Sequence, residues 1–179
     1  MSDLRTAADL VAARVSRIRV DGGDPREASR SAPRLVGYAY PPDRPAVATA
    51  WLTLMNVTPF DTNNSTAQFQ LTIALSRQNV ETAFRDRFYR LLDPSNPFGA
   101  MHSIQRATYV GLEDTVGGAA FADAESDEYV LGVSTTSLSG FRWFTVEVTD
   151  IAADEGIITE GGTPVLVAAL MLDVHLPID

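Results

Sequence analysis

Apolar positions recur along this chain with two periods, and the switches between them divide it into elements. Over residues 4–20, Leu4, Ala8, Val11, Val15 and Ile18 step by three and four, which is one buried stripe of an α-helix. Asp3 and Asp9 near its start and Arg14, Arg17 and Arg19 near its end complement the helix dipole. The run Asp21, Gly22, Gly23, Asp24, Pro25 is expected to end it, since glycine permits a left-handed cap and proline cannot continue. Residues 26–34 are polar and read as a surface loop. Pro41, Pro42 and Pro45 hold the segment from Gly37 onwards extended.

The period then changes to two. Phe69, Leu71, Ile73 and Leu75 alternate with Gln68, Gln70, Thr72 and Ala74, predicting a strand over 68–75 with one face on a core. Its partner, a strand over 47–57, is apolar on both sides near Trp51 to Met55. That pattern predicts a central position or a neighbour covering it. The connection over 58–65 reads as a loop longer than a tight turn needs. A second helix is expected from an Asn79 cap to Leu92, with Val80, Phe84, Phe88 and Leu91 or Leu92 inward. Asp93 and Pro94 stop it, and a short helix over 98–106 follows. Strands are expected over 129–136, 141–151 and 164–175, the last two forming a long hairpin. The fold class is therefore α+β: a mixed, mostly antiparallel sheet of about five strands in a single domain over 1–179. An N-terminal helix, a second, longer helix and a short third helix are expected to pack mainly on one face.

Composition narrows the chemistry. With 179 residues and 45% hydrophobic residues, one domain can bury a sizeable core without disulfides or a structural metal. Cysteine is absent, which excludes thiol catalysis and every thiolate-ligated metal. All 14 basic residues are Arg, and the net charge is −9. A surface this acidic does not favour grip on a phosphate backbone. No signal-peptide core or membrane-length apolar run is apparent, so the expectation is a soluble protein folding in the cytoplasm.

Two histidines, His102 and His175, are the only groups that ordinarily titrate near neutrality. No nucleophile elbow, phosphate loop or dinucleotide fingerprint accompanies them. The acidic run Asp123, Glu125, Asp127, Glu128 lacks the glycine of a calcium loop and reads as a solvated segment. No catalytic residue, cofactor or metal ligand is expected. The group Phe141, Arg142, Trp143, Phe144 must place aromatics on both faces of a strand. Either one ring points outward at a subunit contact, or both faces are buried.

In its order of features the chain resembles the tail terminator proteins of long-tailed bacteriophages with flexible, non-contractile tails, particularly those infecting actinobacteria. The residues that carry the resemblance are the N-terminal helix, GYAYPPDRPAVATAWLT, FQLTIALSR leading into NVETAFRDRFYRLLDPSNP, and the closing strand TPVLVAALMLDVHLP. It covers most of the chain between Thr6 and Leu176. The segment TVGGAAFADAESDEYVLGV and the loop over 152–162 depart from the simplest pattern.

The resemblance implies a structural virion protein at the neck of the tail, assembled in the host cytoplasm and catalysing no reaction. It implies a homo-hexameric ring that caps the tail tube, stops its polymerisation and joins it to the head–tail connector. The implied partners are further copies of itself, the major tail tube protein and the connector protein, with DNA passing through the ring and no membrane. A head-to-tail ring needs two different patches per subunit. Candidates are Phe60, Asn63 and Asn64 in the first long loop, and Pro94, Pro97 and Phe98 at the helix break. Phe141 and Trp143 on the aromatic strand and Glu155 and Glu160 in the last loop complete the set. A head-completion or stopper protein of the connector is one alternative, and a small cytoplasmic hydrolase using carboxylates or His102 is another.

Overall fold

The computed structural model describes residues 3–24, 33–43, 48–60, 64–76, 82–106, 145–154 and 165–177. Their order is α1 (Asp3–Val15), β1 (Val36–Tyr38), β2 (Ala48–Phe60), β3 (Asn64–Ser76), α2 (Thr82–Leu92), α3 (Ala100–Arg106), β4 (Thr145–Asp154) and β5 (Val165–Pro177). The strands form one mixed sheet in the order β1-β2-β3-β5-β4. Among the described strands only the β1–β2 pairing is parallel. The α+β class, the five-stranded sheet and the antiparallel β4–β5 pairing agree with the hydrophobic pattern.

β3 is the spine of the sheet, paired with β2 from Ala48↔Leu75 to Phe60↔Asn64 and with β5 from Asn64↔Pro177 to Ser76↔Val165. Its odd-numbered residues from Ala67 to Leu75 are buried, as are Leu166, Ala168, Leu170, Leu172 and Val174 of β5. Gln68, Gln70 and Thr72 point the other way and are half-buried. The helices cover the apolar face: Ala7, Val11 and Val15 of α1, Phe88 and Leu91 of α2, and Ala100 and Ile104 of α3 join the same cluster. Each fully buried Leu, Ile or Phe contributes roughly 1.5–3 kcal/mol relative to an exposed one.

Several boundaries differ from the sequence reading. α1 ends at Val15, where the apolar stripe predicted helix as far as Val20. Beyond it Val20 N–H donates to the Pro33 carbonyl and Leu35 N–H to the Ile18 carbonyl, and Arg19 bridges to Arg34. Ile18 and Val20 are therefore buried by an extended pairing, a geometry that β-branched side chains accept at least as readily as helix. The turn at Gly22 consequently ends this extended piece and not the helix. The connection over 58–65 is also mostly strand, because β2 runs to Phe60 and β3 begins at Asn64. Where the prolines predict only an extended arm, β1 is a parallel strand covering Thr49, Ala50 and Trp51.

The expected third helix is present from Ala100, and α2 ends at Leu92 as predicted. Asn79 and Val80, the expected strand over 129–136 and the acidic run over 123–128 lie outside the described residues. Among the described residues no helix is long and apolar enough to cross a membrane.

Candidate functional site

The break after α2 is built by side chains that satisfy backbone groups in place of a continuing helix. Asp93 N–H still donates to the Tyr89 carbonyl. The Asp93 Oδ1 then accepts from both Ser95 N–H at 2.8 Å and Ser95 Oγ at 2.7 Å, a local turn that competes with helix continuation. These two bonds hold the Asp93 carboxyl below its ordinary value.

Asn96 ties the corner to the rest of the molecule. Its Nδ2 donates to the Arg90 carbonyl at 2.8 Å and to the Gly22 carbonyl at 2.9 Å, and its Oδ1 accepts from Phe98 N–H at 3.1 Å. His102 Nε2 lies 2.7 Å from the Pro94 carbonyl. A carbonyl can only accept, so Nε2 carries the proton.

Across the corner stands a second compact turn. Arg19, only 8% exposed, donates from Nε and Nη2 to the two oxygens of Asp21 at 2.9 and 2.7 Å, and from Nη1 to the Asp24 carbonyl. Asp21 also accepts from Gly23 N–H at 3.0 Å. Partial burial pushes the Asp21 carboxyl up. The bonds from Arg19 and Gly23, together with the charges of Arg19 and Arg90, outweigh that and leave it below the usual carboxylate range. Gly22 has φ = +63°, and a Cβ there would sit 2.9 Å from Asn96 Nδ2 and 3.1 Å from the Arg90 carbonyl oxygen. A glycine is needed for both reasons.

The structure separates the sequence-predicted contact residues into groups. Pro94 and Pro97 are exposed and Phe98 is half-buried on the corner. Phe60 and Asn64 pair with each other at the end of the β2–β3 hairpin. Asn63, Phe141, Trp143, Glu155 and Glu160 lie outside the described residues.

No family model and no curated protein matches this chain.

The pattern did not single out a larger apolar surface beside the hairpin. Leu4 and Ala8 of α1, Ala39 and Tyr40 after β1, Leu54 of β2 and Phe69 of β3 line a groove of about 450 Å³, with Arg5 and Asp9 on its rim. Tyr40 is 68% exposed, Leu54 49%, Met55 52% and Val57 40%. The sequence signal was the two-sided apolar run Trp51 to Met55. It predicted a strand that was central or covered by a neighbour, and β1 covers β2 only as far as Trp51.

His175 Nδ1 is 3.1 Å from Thr66 Oγ1, and Gln68 Nε2 donates to Asp173 at 3.1 Å, both on the sheet face opposite the helices. Among the described residues no group of three or more His, Cys, Asp or Glu side chains is placed to hold a metal ion. What the described groove and corner offer chemically is recognition by shape, apolar contact and backbone hydrogen bonding.

Proposed function

We propose that this chain is a tail terminator: a structural virion protein that closes as a homo-hexameric ring on the last ring of the tail tube. There it halts polymerisation and presents a surface to the head–tail connector. The observation that carries the reading is the order of elements. An amphipathic helix, an extended arm, a long strand pair, a helix broken at Asp93 and Pro94, a short helix and a closing hairpin follow one another as the resembled family implies. The rigid corner and the exposed apolar groove support it, because assembly by surface complementarity requires preformed patches. A net charge of −9 suits a conduit for DNA, since like charge discourages adhesion.

Purified protein should bind the ends of tail tubes and cap their growth, as negative-stain electron microscopy of tubes assembled with and without it would record. Binding to DNA-filled heads alone would instead identify a stopper of the connector. Binding to neither would overturn both readings.

A further inference from the structure

Two edges of the sheet are open among the described residues, and they match each other. On one side, β1 pairs with β2 only at Thr49, Ala50 and Trp51. Past that point β2 continues, and every residue over 54–58 is exposed. On the other side, among the described strands β4 pairs only with β5, so no described strand lies along its outer edge. An open edge presents unpaired N–H and C=O groups that template another strand. The stretch over 54–58 carries no charged residue, and Pro59 follows it. Its guards are thus one proline at the end and the irregularity between Leu54 and Asn56.

The faces of the two edges correspond. Leu54 pairs with Phe69 and Val57 with Ala67, so both lie on the core face, whereas Asn56 and Thr58 lie on the polar face opposite Gln68 and Thr66. On β4, Val148 and Ile151 pack against the core, while Glu147 and Asp150 pair with Asp173 and Met171 on the polar face. A neighbouring sheet set beside this one in the same orientation would put Val148 and Ile151 next to Leu54 and Val57. Its two carboxylates would meet Asn56 and Thr58, and not one another. The directions agree as well. Three successive antiparallel steps from β2 to β4 leave β4 running opposite to β2, so a copy displaced within the sheet plane pairs antiparallel.

A β2-to-β2 pairing would cover the same apolar residues but leave β4 open. It would also close after two copies and not propagate.

We propose that residues 54–58 of β2 pair antiparallel with the outer edge of β4 (Thr145–Asp154) of a second copy, joining subunits head to tail. The inference rests on the ring reading above, for which it supplies the two distinct patches.

The absence of cysteine makes the test direct. Asn56→Cys and Thr58→Cys variants are each mixed under mild oxidation with Glu147→Cys, Asp150→Cys and Ala152→Cys variants. The work is done at a concentration where sedimentation shows the parent chain assembled. A disulfide requires Cα atoms within about 7 Å, so at least one mixture should give a mixed dimer, and the matching double variant a ladder of multimers. Val57→Lys, at an exposed position, should weaken association at least about tenfold, and at a concentration where both chains are monomeric it should keep the parent's melting temperature.

A parent chain that is monomeric at every concentration, links only between identical β2 variants, no links in any mixture, or Val57→Lys assembling like the parent would each overturn the proposal. Capping of tail tubes without these links would leave the terminator reading standing and remove the edge pairing. Head-to-tail links without tube binding would do the reverse.

Discussion

Asn96 uses both an amide donor and its carbonyl on backbone groups from three places: the last turn of α2, the Gly22 turn and the start of the next segment. Asn96→Ala strands those partners at once. It should cost about 1–3 kcal/mol, the penalty of leaving such groups unsatisfied, read as a drop in the urea midpoint. Pro94 and Pro97 are exposed, and the Pro94 carbonyl that faces His102 survives substitution. Pro94→Ala with Pro97→Ala should therefore cost only about 0.4–1 kcal/mol per site through the unfolded chain.

Asp21 gives a pH signature. Its folded carboxyl lies below the unfolded value of 3.8, so its contribution is present above that value and is lost as pH falls through the folded one. Denaturation midpoints of Asp21→Asn should accordingly fall less steeply than the parent's below about pH 4. The role of Asn96 could not be read from the chain. The Gly22 partner of Asn96 is 74 positions away, and no local periodicity encodes such a meeting.

Among the elements, α1 and β1 lie in close contact at Gly37. Gly37 N–H donates to Ser16 Oγ at 2.9 Å, and that hydroxyl donates to the Ala12 carbonyl at 3.0 Å. A Cβ on Gly37 would collide with the Ala12 carbonyl oxygen. Gly37→Ala must push the helix off the strand and should destabilise by about 1–3 kcal/mol, the usual cost of overpacking, seen as a lower melting temperature.

Long elements were legible: β3 alternates cleanly, β5 is a long apolar run, and α2 stops where Asp93 and Pro94 say it should. The end of α1 was not, because Ile18 fits the helical stripe as well as the extended pairing that actually buries it. The length of the β2–β3 hairpin was hidden for a related reason. Thr58, Asn64 and Ser65 are turn-favouring residues held in strand by ladder bonds to neighbours.

At the scale of the molecule, a net charge of −9 sets copies of this chain against one another. Self-association should strengthen as ionic strength rises from about 0.01 M to about 0.1 M, where the screening length falls from about 30 to about 10 Å. Sedimentation across a salt series would measure it, and weakening with salt would point instead to ion pairs across the contact. The molecule's surfaces were only partly legible at this scale. The corner at Pro94 and Pro97 is legible from turn chemistry, whereas the hairpin end reads in the sequence as a longer loop. The apolar groove was not legible, since it is assembled from α1, β2, β3 and the arm after β1.

The position of β5 has a consequence for how the chain acquires this shape. The last strand in sequence lies inside the sheet, between β3 and β4. A nascent chain can close the β2–β3 hairpin early, since its strands are adjacent, but β3 and β4 have no common partner until residues 165–177 have been made. Until then the facing edges of β3 and β4 stay unpaired, and joining them is a non-local and intrinsically slow event. Ribosome-bound chains halted before residue 165 should remain sensitive to protease, and release of the full chain should bring protection in one step.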